Sequence, residues 1–242
     1  LWFGWRGMFQ ILGVVGLVYV FFYALFVKQT KPQEETKEDK SKKNKYFLHL
    51  LKFSLIWKLI LCAFCISCIN KGLDAWMPTY LIAERGINLK AVGYLTPIPF
   101  IASFLSTAVC GWVMNKYFDK KENWMIVICA ALTAIFLYFM YNAETIMWVV
   151  IFQCGVYFFK ACILGTAVAI VLKIVTGSIA GSASTLINMG GQVAGFISPI
   201  IMGYLVYAFN GSFNAVFYYL MGVAALCAIS ALLIPTRKED ML

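Results

Sequence analysis

The chain has 242 residues, of which 62% are hydrophobic and 13% charged, with a formal net charge of +9. A composition this apolar excludes a soluble globular domain, which has no core large enough to hold it, and places the chain among proteins bathed in lipid. The basic excess sits in short connections between long uncharged runs, not across one face, so no nucleic-acid partner is expected.

In chain order, the apolar runs occupy roughly residues 7–27, 55–83, 91–114, 124–141, 146–172, 178–209 and 213–234. Each reaches or nearly reaches the ~20 residues that a helix needs to cross about 30 Å of hydrocarbon. They are too long and too continuously apolar for barrel strands, which alternate over ~10 residues. The expected fold class is therefore an all-α integral membrane protein with seven transmembrane helices. Between the first two runs, KQTKPQEETKEDKSKKNK from Lys28 to Lys45 reads as a solvated mixed-charge linker. Tyr46 to Phe53 reads as a short interfacial turn that touches the lipid bilayer. The chain divides into a helix over 1–27, a Lys-rich linker over 28–54, a six-helix unit over 55–234 and a tail over 235–242.

Fifteen of the 20 Lys and Arg residues fall in the Lys28–Lys58 segment, the 116–121 loop, Lys173 and the tail. Cytoplasmic loops carry this bias, so the N-terminus is expected outside and the C-terminus inside a plasma or inner membrane.

The eight cysteines all lie within or at the ends of apolar runs, where Cys acts as a small hydrophobe. Cys62, Cys65 and Cys68 match the start of an iron–sulfur run, but Gly72 occupies the fourth ligand position. His49 is the single histidine and has no acid or base beside it. No metal, cofactor, catalytic residue or enzyme activity is expected.

Polar residues inside the spans carry more information, because each is costly in hydrocarbon and usually faces a bundle interior or a water-filled path. In the second span, Asn70 and Asp74 share a face, and Lys71 is placed to pair with Asp74 three residues on. In the fifth, Gln153, Tyr157 and Lys160 fall within about 60° of helix circumference. In the sixth, Ser184, Asn188 and Gln192 form a stripe at four-residue spacing. Three stripes on three helices imply one shared cavity. Lys160 is the hardest to dismiss, being mid-span with no acid in its own helix, whereas Lys71 can snorkel outward. Gly177/Gly181 and Gly191/Gly195 are small-residue pairs that allow close helix approach. Pro78, Pro97, Pro99 and Pro199 lie within or at the ends of spans and free backbone carbonyls there.

Several segments resemble a known family. GWRGMFQILGVVGLVYVFF (Gly4 to Phe22) is similar to the junction of the fifth and sixth helices of a major facilitator superfamily transporter. NKGLDAWMPTYL (Asn70 to Leu81) resembles the seventh helix of its organophosphate:phosphate antiporters and anion:cation symporters. CGWVMNKYFDKK (Cys110 to Lys121) resembles the loop between helices eight and nine, and GSASTLINMGGQVAGFISPIIMGYLV (Gly181 to Val206) resembles helix eleven. The resemblance implies that the chain is helices six to twelve, the C-terminal half of a twelve-helix fold that works by alternating access. It also implies a missing N-terminal half as partner, a coupling ion (proton, sodium or phosphate) and an organic anion such as a sugar phosphate or sugar acid. The sugar-phosphate members carry an arginine where this chain has Asn70, and Asn115 stands where the loop motif usually has Asp.

The expected function is that of a secondary transporter for a small organic anion. Lys160 attracts the anion, Lys71 assists, and Asn70, Gln153, Tyr157, Asn188 and Gln192 complete the site. Asp74 serves as an ion-pair partner or a proton carrier. The alternative is a transporter-like receptor that senses such an anion.

Overall fold

The computed structural model describes residues 4–26, 54–174 and 180–234. The Lys28–Lys45 linker, the Tyr46–Phe53 segment, His49, Gly177 and the tail with Arg237 and Lys238 lie outside the described residues.

All described regular structure is helical: α1 (Gly4–Phe26), α2 (Ser54–Ala83), α3 (Leu89–Leu95), α4 (Ile98–Tyr117), α5 (Glu122–Tyr141), α6 (Ile146–Ile174), α7 (Ala180–Ala208) and α8 (Asn214–Leu232). Seven segments among the described residues are long and apolar enough to cross a membrane, with α3 and α4 counting as one. The boundaries fall within a few residues of those read from hydropathy, and the fold is that of an all-α integral membrane protein.

Helix α1 falls in a unit of its own and, beyond Arg6 and Gln10 near its start, is apolar all round, as a membrane span is. The remaining helices form the second unit.

The third span differs from the expected single helix. Asn88 caps α3, its side chain accepting from the Ala91 N–H at 2.8 Å, and α3 stops at Leu95 just ahead of Pro97. A proline lacks the N–H and clashes with the preceding turn, so the chain restarts as α4 at Ile98. Between α7 and α8 the turn uses the left-handed backbone at Asn210 (φ 55°) and Gly211 (φ 88°). Glu84 then accepts the Phe213 N–H at 2.8 Å, placing a carboxylate at the positive end of α8.

Within the second unit, α2 packs against α6, α7 and α8, while α6 also packs against α4 and α5. These two helices are the hubs. Buried Leu59, Ile69, Ile163, Ile187 and Leu220 join them to their neighbours, and large side chains such as Phe104, Leu105 and Phe196 point outward.

Glycines set the α2–α7 separation. A Cβ on Gly190 would meet the Ile60 side chain at 2.8 Å, one on Gly191 the Ser67 Oγ at 2.7 Å, and one on Gly195 the Lys71 Cγ at 3.2 Å. From the other side, a Cβ on Gly72 would meet the Ser198 Oγ at 2.9 Å. The Gly191/Gly195 pair thus makes the expected close approach. Gly181 does not, since a Cβ there meets nothing within 4 Å.

Gly191→Leu in the full-length protein should therefore lower stability by about 1–3 kcal/mol through overpacking. Gly181→Ala should leave it within ~0.5 kcal/mol. Thermal unfolding in detergent reads both, and equal midpoints for the two variants would contradict this account of the α2–α7 contact.

Candidate functional site

The site is built where the two hub helices meet. Asp74 and Asn70 lie one turn apart on α2, and Lys160 is the fifteenth residue of the 29-residue α6. The Lys160 Nζ donates to Asn70 Oδ1 at 2.5 Å and stands 3.8 Å from Asp74 Oδ1. The Tyr157 hydroxyl, one turn back on α6, also donates to Asp74 Oδ1. No hydrogen bond reaches Asp74 Oδ2 among the described residues. The Lys160 ammonium lies over the Tyr157 ring, 3.1 Å from its centroid. Gln153 is buried beside the Tyr157 hydroxyl.

Burial separates the members of this cluster. Lys160 is 4% exposed and Tyr157 2%, whereas the Asp74 side chain is 28% exposed. An ammonium this deep needs oxygen acceptors, since an unpaired charge in a dry interior is strongly unfavourable. Asn70 and Asp74 provide them from a neighbouring helix.

A third helix holds the arrangement in place. From α4, Ser103 Oγ donates to the Tyr157 carbonyl at 2.9 Å and Ser106 Oγ to the Phe158 carbonyl at 2.5 Å. Phe100 meets the Tyr157 ring edge-on at 5.3 Å. On α2, Pro78 has no N–H to give to the Asp74 carbonyl four residues earlier, so the ladder is interrupted at the residue that carries the carboxylate.

Of the residues expected from sequence, the structure gathers Asn70, Asp74, Gln153, Tyr157 and Lys160. The local Lys71–Asp74 pair does not form. Asp74 turns toward α6, while the stem of the exposed Lys71 lies along Gly195 of α7. Of the sixth-span stripe, Asn188 and Gln192 are exposed and make no side-chain hydrogen bond to the cluster among the described residues. The Ser184 Oγ is buried without a partner.

The polar stripes of the sequence do not include Ser103, Ser106 or Phe100. The two serines stand three apart on one face of an apolar span, which was the available signal.

The cysteines pack as small apolar groups. Cys62 and Cys227 each point a thiol at the other's carbonyl, at 3.9 and 3.8 Å, and Cys110 does the same to Cys162 at 3.4 Å. No group of three or more metal-ligating side chains forms among the described residues.

A bundle of apolar helices around one buried, oxygen-satisfied lysine defines a polytopic membrane protein with a polar centre. Residues 1–159 match the family model of the Major Facilitator Superfamily, and the chain belongs to that family. It is 25% identical over 250 residues to the probable sulfoacetate transporter SauU of Cupriavidus necator, covering 93% of this chain and 57% of the relative. It is 26% identical over 245 residues to the hexuronate transporter of Bacillus subtilis, covering 95% and 58%. It is 27% identical over 177 residues to the probable galactarate/D-glucarate transporter GudP of Escherichia coli, covering 71% and 38%. The chain thus spans little more than half the length of the first two relatives, and its match to the third covers 38% of that protein.

A solved bacterial homolog of the human lysosomal transporter Spinster, inward-facing and unoccupied, superposes with a TM-score of 0.61. The identity is 12%, and the match covers 96% of this chain and 57% of that one. It shows a shared fold.

Asn70→Ala removes the shortest charge-assisted hydrogen bond to Lys160 and should destabilise the full-length protein by about 1.5–3 kcal/mol. Asn188→Ala, at an exposed position, should shift stability by less than ~0.5 kcal/mol. Unfolding midpoints measured side by side should rank the two in that order.

Proposed function

We propose that this chain is the part of a secondary active transporter that moves a small organic anion across the cell membrane by alternating access. The observation that carries the reading is the positive balance at the centre of the bundle, where Lys160 and Lys71 stand against a single acid, Asp74. Charges at this depth are retained for function, and an excess of cations suits an anionic cargo. The names of the relatives point the same way, since sulfoacetate, hexuronates, galactarate and glucarate are all small carboxylates.

A sugar acid fits a lysine at least as well as a sugar phosphate does, because bidentate phosphate recognition favours arginine. Lys160 attracts the anion from within, Lys71 assists from the exposed side, and Asn70, Tyr157 and Gln153 orient it. Asn188 and Gln192 hydrogen-bond its hydroxyl groups from α7. A coupling ion (proton, sodium or phosphate) drives the cycle, and no enzyme chemistry is involved. In this reading α1 and the six-helix unit over 55–234 correspond to helices six to twelve. The first five helices complete the cavity, the linker over 28–54 and the tail over 235–242 are cytoplasmic, and the N-terminal end of α1 is extracytoplasmic.

A counterflow screen of the full-length protein in proteoliposomes, using sugar acids, sugar phosphates and inorganic phosphate, tests the substrate class. Lys160→Ala should abolish uptake of the anion that responds, while surface expression and membrane insertion stay at wild-type levels. Uptake that survives the substitution overturns the role given to Lys160.

A further inference from the structure

We infer that the end of the bundle where α4 turns into α5 docks the headgroup of an anionic glycerophospholipid on Lys116, Lys120 and Lys121. The inference needs only the membrane fold and stands apart from the transport reading above.

The turn and its flanks carry three cations, Lys116, Lys120 and Lys121, and two acids, Asp119 and Glu122. A stretch so mixed can neutralise most of its own charge, yet both acids are taken by a cation from another helix. Lys173, in the last turn of α6, donates to Glu122 Oε1 at 2.7 Å and to Asp119 Oδ1 at 3.2 Å. The three loop lysines are all exposed, and none of them meets an acid among the described residues. Like charges this close repel one another, so the cluster lacks an anion that the described fold does not supply.

The backbone holds two of these lysines together. Lys120 has φ 63°, in the left-handed region that favours glycine, and the Lys121 N–H donates to the Phe118 carbonyl at 2.9 Å. The tight turn therefore sets Lys120 and Lys121 side by side at the head of α5, at a cost in backbone strain.

Aromatic rings mark the level at which the lysines sit. The Lys116 ammonium lies 4.7 Å from the centroid of Trp112 and 5.3 Å from that of Tyr117. Both rings are exposed, as is Trp124 in the first turn of α5. Tryptophan, tyrosine and lysine at the end of an apolar span are the groups that meet the headgroup layer. From Trp124, an exposed stripe through Ile128, Ile135 and Phe139 runs along α5, whose packing is mainly against α6 and α8. Phosphate meets the lysines while an acyl chain lies on that stripe, a combination that a lipid satisfies and a soluble anion does not. In the orientation proposed above this end is cytoplasmic, and the cytoplasmic leaflet carries the anionic lipid.

Native mass spectrometry of the full-length protein in detergent, titrated with palmitoyl-oleoyl phosphatidylglycerol or phosphatidylcholine, tests this. Wild type should bind the phosphatidylglycerol about tenfold or more tightly than the phosphatidylcholine, and added salt should narrow the gap. A lysine beside an anionic surface contributes about fivefold, so Lys120→Gln with Lys121→Gln should weaken phosphatidylglycerol binding about 25-fold and leave phosphatidylcholine unchanged. Lys120→Arg with Lys121→Arg keeps the charge and should stay within about twofold of wild type. Lys90→Gln, at the opposite end of the bundle, should do the same. Millimolar glycerol 3-phosphate, which has the headgroup phosphate without acyl chains, should not displace the lipid.

Equal affinity of wild type for the two lipids overturns the inference, as does a double glutamine variant that binds phosphatidylglycerol like wild type. An equal loss in Lys90→Gln or in the double arginine variant overturns it too, because the effect then does not follow the charge of this cluster. Displacement by glycerol 3-phosphate assigns the lysines to a soluble phosphate and overturns the lipid.

Discussion

An ammonium group at the middle of an apolar helix has to meet oxygen, and in this protein that requirement decides which helices touch. Lys160 has no acid on α6, so its acceptors must come from another span, and α2 supplies two of them one turn apart. Bringing α2 against α6 leaves an adjacent flank to α7, where Gly190, Gly191 and Gly195 let the backbones approach over Ile60, Ser67 and Lys71. Helix α4 fastens the cluster through Ser103 and Ser106, which donate to the successive carbonyls of Tyr157 and Phe158. Charge satisfaction fixes the partner helix, and small residues fix the distance at which the remaining helices follow.

The seven spans were legible because a helix in lipid satisfies its own backbone and needs only an apolar exterior, a property that a single sequence carries in full. Polar faces were legible for a similar reason. Gln153, Tyr157 and Lys160 share a side by the helical period alone, and all three are buried. What periodicity does not encode is the neighbour across the gap. Lys71 and Asp74 satisfy the spacing of a local pair, yet Asp74 has a better-placed tyrosine hydroxyl and a second lysine on α6, while Lys71 rests on a glycine of α7. Tertiary geometry overrode a spacing rule that holds within one helix.

The serines of α4 show a second kind of blindness. A hydroxyl in a membrane helix usually bonds back to its own carbonyl four residues earlier, as Thr107 does to Ser103 at 3.0 Å. Ser103 and Ser106 instead reach across to α6, and nothing in the sequence distinguishes the two behaviours. The break before α4 was likewise hidden. Pro97 and Pro99 announce a disturbance, but whether a proline kinks a span or divides it depends on which neighbours take up the freed groups.

Pro78 ties these threads together. It interrupts the hydrogen-bond ladder of α2 at the Asp74 carbonyl, one turn from the charge pair and beside Trp76, whose indole N–H donates to the Pro199 carbonyl of α7 at 3.0 Å. Pro199 interrupts α7 in the same way at the Gly195 carbonyl, the residue on which Lys71 lies. The two helices packed closest together therefore each lose a backbone hydrogen bond at the level of the charged cluster, and a side chain of one bonds the backbone of the other just beyond it. A helix bends most easily where its ladder is open, so the weakest points of α2 and α7 lie side by side near the level where Asp74 meets Lys160. That places the most compliant part of the α2–α7 contact next to the charges whose partners decide what the bundle can hold.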